Sequence, residues 1–260
     1  MSKVPTPGWY GKLPTLGDFA SRRLDPDFIE PWDVWLGEGL AALRETLGDD
    51  WLDAYLSSPS WRFVLMPGVL APQQNHAIAG VLMPSVDRVG RYFPLSLATP
   101  MPLPPRSAGE IELLLGWLHR LEDVAIDALQ DDWTIEQLDE ALEQLPPVID
   151  IEAATPDHLV DTLSALLAAL RSQGGFVPIE KVRSRAELAE LFVGVFAGSA
   201  STGSDAPGGG RRQAARGLAF WLADNPSQPQ LLVSRGLPGR DEFMQMLGTS
   251  GREPGETTIY

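Results

Sequence analysis

Three stretches constrain this chain more than any others: Trp61–Met66, Ala77–Met83 and Phe93–Ala98. Each is a short, almost unbroken apolar run. Pro59 and Pro67 bound the first, Pro84 stops the second, and the Pro100, Pro102, Pro104, Pro105 connection follows the third. Prolines end strands because they cannot donate to a ladder. Near-continuous apolar runs fit central strands covered on both faces.

The rest of the chain supplies the cover. Asp25–Leu47 opens with Asp-Pro-Asp and then places Phe28, Trp32, Trp35, Leu36, Leu40, Leu43 and Leu47 at helical spacing. Trp51, Leu52, Tyr55 and Leu56 predict a shorter helix ending near Pro59. Ser107 with Glu110 has the form of a capping box before Ile111, Leu114, Leu115, Leu118 and Leu121. Thr134 with Gln137 repeats that pattern before a helix through Leu145, which Pro146 and Pro147 break. Thr155-Pro156 starts a helix that would bury Leu159 to Leu170 and end at Gly174-Gly175. Ser184 with Glu187 marks another start. Gly8–Leu13, Gly217–Ala223 and Gln230–Ser234 read as further strands, and Asp241–Leu247 as a last helix. Ala197–Gly210 lacks apolar side chains and is expected to be a mobile loop. Strands at both ends with helices between predict one α/β layer structure with a mixed sheet, not two independent domains.

Charge is distributed unevenly. The chain has 260 residues, 35 of them acidic and 20 basic, for a net charge of −15. From Glu110 to Asp161 there are 15 acidic residues against Arg120 alone, so this stretch carries −14 of that total. Two readings fit: solvated helix faces, or an acidic surface that steers a basic partner. The overall charge opposes non-specific nucleic-acid binding, because phosphates would be repelled. No apolar run is long enough to span a bilayer, and the start has no apolar signal core. A soluble, cytoplasmic protein is expected. With no cysteine, disulfides, thiolate metal sites and cysteine nucleophiles are excluded.

Catalytic signatures are missing from the sequence. It has no phosphate-binding P-loop, no Gly-x-Gly-x-x-Gly after a strand and no Gly-x-Ser-x-Gly elbow. His76, His119 and His158 have no i,i+4 pairing that would suit zinc. No cofactor is expected. Gly208–Gly210 precede Arg211 and Arg212, an arrangement that fits either an anion site or a flexible loop.

Two dense motifs remain. The first is Gly11-Lys12-Leu13-Pro14-Thr15-Leu16-Gly17-Asp18-Phe19, whose glycines and proline punctuate tight turns. The second is Met83-Pro84-Ser85-Val86-Asp87-Arg88-Val89-Gly90-Arg91-Tyr92-Phe93-Pro94-Leu95, linking two strands. Asp87 is placed to pair with Arg88 or Arg91, and Arg91 alternatively presents a fork to a partner carboxylate or phosphate. Each motif fits a rigid corner of the fold as well as it fits a contact surface.

Together the motifs resemble the TagF family of type VI secretion system-associated proteins, which has a Gly-Lys-Leu-Pro…Gly-Asp-Phe opening and a Pro-Ser-Val-Asp…Gly-Arg-Tyr-Phe-Pro-Leu segment. Trp32-Asp33-Val34-Trp35-Leu36, Phe220-Trp221 and Gly236-Leu237-Pro238 are also similar to it. The likeness is dense over residues 8 to 100 and looser over the acidic middle. It implies a three-layer α/β/α fold, with residues 1–260 as a single domain that includes the acidic helical segment 107–171. It also implies a standalone form without the phosphatase domain fused to some relatives. The expected function is non-enzymatic, post-translational repression of type VI secretion by binding the system's forkhead-associated scaffold protein. The candidate contact residues are Lys12, Pro14, Gly17, Asp18, Phe19, Ser85, Asp87, Arg88, Arg91 and Tyr92. The alternatives are a metal-dependent hydrolase using Asp18 and Asp87, or a phosphopeptide-binding module using Arg91, Arg211 and Arg212.

Overall fold

A computed structural model describes residues 5–101, 108–146, 175–177, 216–223 and 230–248. Eight strands among these residues form one sheet: β1 (Gly8–Gly11), β2 (Ala20–Arg22), β3 (Trp61–Leu65), β4 (Ala77–Met83), β5 (Leu95–Met101), β6 (Gly175–Val177), β7 (Leu218–Ala223) and β8 (Gln230–Arg235). Their order across the sheet is β2-β1-β5-β4-β3-β7-β8-β6. The described helices are α1 (Pro26–Leu47), α2 (Trp51–Ser57), α3 (Ala108–Gln130), α4 (Ile135–Gln144) and α5 (Arg240–Gly248).

Every pairing in the sheet is antiparallel, which corrects the expected mixed sheet. The reason lies in the connections. β1–β2, β3–β4 and β4–β5 are neighbours joined by loops that contain no helix, and such loops close hairpins. A parallel neighbour needs a longer crossover, usually helical.

Along the strands, side chains alternate between two core clusters. Val64, Val81, Leu97 and Phe220 pack with Leu114, Leu118 and Leu121 of α3 and with Leu138 and Leu142 of α4. Trp61, Phe63, Trp221 and Leu232 pack with Phe28, Trp32, Leu36 and Leu43 of α1, Tyr55 of α2, and Phe243 and Met246 of α5. Helices therefore lie against both faces of the sheet. This is why β3, β4 and β7 read as nearly continuous apolar runs, interrupted in β3 by Arg62, although they are antiparallel. Burying one such large side chain stabilises the fold by about 1.5–3 kcal/mol.

Indole N–H groups, those of Trp32 and Trp61 buried and that of Trp35 half-buried, add direction to this packing. Trp32 donates to Ser96 Oγ at 2.9 Å, Trp61 to the Met246 carbonyl at 3.1 Å, and Trp35 to the Pro238 carbonyl at 2.8 Å. Gly39 lets α1 approach α5, since a Cβ there would lie 2.5 Å from the Phe243 ring.

Several boundaries differ from expectation. β1 ends at Gly11, not Leu13, and β5 runs through Pro100 to Met101. Pro100 is tolerated because β1 pairs only as far as Ala98, leaving that side of β5 free of a strand partner. β2 was not anticipated: it has three half-buried or exposed residues and no apolar alternation. β6 begins at Gly175, which was expected to end a helix. The capping box at Thr134 forms, with Thr134 N–H on Gln137 Oε1 at 2.8 Å and Gln137 N–H on Thr134 Oγ1 at 3.4 Å. The Ser107 cap, the helix from Thr155, the start at Ser184 and the loop 197–210 lie outside the described residues.

Candidate functional site

The two motifs occupy adjacent hairpin loops at one end of the sheet. Residues 12–19 join β1 to β2, and residues 84–94 join β4 to β5. Because β1 pairs with β5, both loops leave the sheet at the same end. Gly11 makes the approach close: its φ is 134°, and a Cβ would lie 2.1 Å from the Pro94 carbonyl oxygen.

Asp87 is the centre of the arrangement. It is only 3% exposed, and its carboxylate accepts four hydrogen bonds. Lys12 Nζ donates to Oδ2 at 2.5 Å and Arg91 Nε to the same oxygen at 2.8 Å. The backbone N–H groups of Val89 and Arg91 donate to Oδ1 at 3.0 and 2.9 Å. Burial pushes the Asp87 carboxyl upward in pKa. The donors from Lys12, Arg91 and Val89 outweigh that and hold it well below the usual carboxylate range. The expected Asp87–arginine pair thus forms with Arg91. A second cation, Lys12, arrives from the other motif.

Further bonds stitch the loops together. Ser85 Oγ donates to the Lys12 carbonyl at 2.8 Å. Tyr55 Oη donates to the Ser85 carbonyl and accepts from the Ser85 N–H, at 3.0 and 2.9 Å. Arg88 N–H donates to the Leu16 carbonyl at 2.9 Å, and Arg91 Nη2 to the Gly17 carbonyl. Lys12 Nζ also lies 4.6 Å from the centre of the Phe19 ring. Tyr10 donates to Asp33, and burial together with that carboxylate raises the Tyr10 pKa.

The site residues read from the sequence separate into two groups. Lys12, Ser85 and Asp87 are buried, and Lys12 bonds the other two. Pro14 and Tyr92 are half-buried, with Tyr92 packed edge-on against Trp51 and Tyr55. Gly17, Asp18, Phe19, Arg88 and Arg91 reach solvent. Phe19 is 46% exposed although it packs on Phe93 and Tyr10, with ring centres 4.8 and 6.1 Å apart. Sequence reasoning passed over Val89, which is 62% exposed. Its signal was an apolar residue between Arg88 and Gly90 in an otherwise polar turn. It also passed over Tyr55, whose hydroxyl role depends on a contact 30 residues away.

The donor set does not suit the metal-dependent reading. A carboxylate offers about four lone-pair sites, and Asp87 uses them on Lys12, Arg91 and two backbone N–H groups. Asp18 is exposed and faces Arg91 Nη2 at 3.8 Å, so a cation lies between the two carboxylates. Arg211 and Arg212 lie outside the described residues.

Part of the acidic stretch is structural. Asp139 of α4 accepts from Trp9 Nε1 at 3.0 Å and Arg23 Nη2 at 2.7 Å, tying α4 to β1 and to the residue after β2. Glu122 is buried on α3, where it accepts from Ser60 Oγ and lies 3.6 Å from Arg62 Nε. No described helix is long and apolar enough to cross a membrane.

Residues 8–145 match the family described as TagF N-terminal domain, Type VI secretion system-associated. The chain is also similar to the protein in the crystal structure of PA0076 from Pseudomonas aeruginosa PAO1. Sequence identity is 31%, the TM-score is 0.62, and the match covers 98% of this chain and 99% of that one. No curated protein matches the chain significantly.

Proposed function

The chain belongs to the TagF family of type VI secretion system-associated proteins, and from that premise we propose that it is a non-enzymatic, post-translational repressor of type VI secretion. It acts in the cytoplasm by binding the forkhead-associated scaffold protein of the system. Residues 1–260 work as one domain, a sheet between two helical layers. Repression requires tighter binding to the inactive arrangement of the scaffold than to the active one.

The supporting observation is the coupling of the two family motifs. Their buried polar groups bond across the two loops, and Asp87 has no lone pair left for a reacting group. What remains outside is a fixed loop pair presenting Phe19, Arg88, Val89 and Arg91. Such an arrangement suits recognition, because a pre-ordered surface loses little entropy on binding.

The test is a titration of purified chain against the purified scaffold at low and high salt. Saturable binding is expected. Its absence at tens of micromolar would remove the proposal.

A further inference from the structure

We propose that the loop pair docks an acidic segment of its protein partner, one that carries an apolar side chain beside a carboxylate. Arg88 receives the carboxylate, and Phe19 and Val89 form the apolar rim. This rests on the partner-binding function proposed above and names the chemistry of that contact.

The cations at this end of the sheet are unequally committed. Lys12 is buried against Asp87. Arg91 gives Nε to Asp87 and Nη2 to the Gly17 carbonyl, with Asp18 beside it. Arg22 and Arg23, at the opposite end of β1, lean on Asp139. Arg88 differs: its backbone N–H is fixed on Leu16, but its exposed guanidinium has no ion pair or hydrogen bond among the described residues. Gly17 stands beneath it, where an added Cβ would lie 4.0 Å from Nη2. A planar fork held over a bare glycine suits bidentate capture of a carboxylate.

The apolar part is equally set. Phe19 and Val89 belong to the same loop pair and remain about half exposed or more, at 46% and 62%. Phe19 is held by Phe93, Tyr10 and Lys12, and Val89 by its N–H bond to Asp87. Their exposure is therefore built by the buried cage and does not come from slack in the loops.

Charge complementarity selects the occupant. With −14 of the −15 confined to residues 110–161, an acidic segment is repelled from that stretch and meets uncompensated positive charge at Arg88. A nucleic acid, with a phosphate at every step, suffers the whole repulsion.

The experiment titrates the purified scaffold against wild type, Arg88→Glu, Arg88→Lys, Val89→Ser and Phe19→Ala at about 50 and about 300 mM salt. Melting curves confirm that each variant is folded. Arg88→Glu is expected to lose about tenfold or more in affinity at low salt, the loss shrinking at high salt. Arg88→Lys keeps part of the affinity. Val89→Ser and Phe19→Ala weaken binding at both salts. Glu140→Lys, on the acidic helix α4, binds as wild type. Wild-type binding with Arg88→Glu unaffected overturns this inference and leaves the scaffold proposal standing. No wild-type binding removes both. Binding lost when the scaffold is treated with phosphatase assigns the contact to phosphate and overturns the carboxylate assignment. Dimerisation of the chain abolished by Arg88→Glu assigns the patch to a second copy and likewise overturns it.

Discussion

At the scale of single residues, the buried carboxylate of Asp87 decides most. Its pKa is lower in the fold than in the unfolded chain, where an aspartate titrates near 3.9. The associated stability is fully present above that value and is lost as pH falls through the lower folded value. Denaturant melts between about pH 7 and about pH 3 should therefore show falling stability in the wild type. Asp87→Asn should be less stable at neutral pH and should show a flatter acid limb. An acid limb as steep in Asp87→Asn as in the wild type would refute the assignment. Lys12→Met should destabilise far more than any change at exposed Asp18, because it strips a partner from a buried charge. An Asp87–arginine pairing was visible in the sequence, since Arg88 and Arg91 follow Asp87 one and four positions later, and the fold selects Arg91. Lys12 as the second partner was not, because 75 residues separate it from Asp87 and only the β1–β5 pairing brings them together.

At the scale of elements, local rules worked where the signal was local. The Thr134 box follows from side chains three residues apart, and Thr134→Ala should cost about 1 kcal/mol in a denaturant melt. Helices α1 and α2 and strands β3, β4, β7 and β8 follow from apolar pattern and proline punctuation. Strand β2 did not, because its pairing comes from β1 and not from its own residues. This difference has a measurable consequence. Amide exchange should be slowest in β4, which is buried throughout and flanked by β3 and β5. It should be fast in the three residues of β2 at the sheet edge. Equal protection of the two would contradict the strand order described above.

At the scale of the whole molecule, a cluster of three stacked or tilted tryptophans and the acid-rich helices lie against opposite faces of the sheet. Trp32, Trp61 and Trp221 are fully buried on the α1 side of the sheet. Trp32 stacks on Trp221 with ring centres 5.8 Å apart. Trp221→Ala should cost about 3–5 kcal/mol through the cavity it leaves, read as a fall in the denaturation midpoint with the m-value unchanged. The described part of the acidic stretch sits on α3 and α4 against the opposite face, where Asp139 and Glu122 serve the fold and the exposed carboxylates face water. Local pattern was enough to place β1, β3, β4, β5, β7 and β8, though not β2 or β6, and to show which helix faces are apolar, where the charge lies and which two motifs stand out. Those properties depend on neighbours within a few residues. Long-range packing set the antiparallel order of the described strands and closed both motifs on one carboxylate. It also decided that Lys12, Ser85 and Asp87 face inward while Phe19, Arg88 and Val89 face out. Each of these depends on strand order, and strand order depends on contacts between residues far apart along the chain.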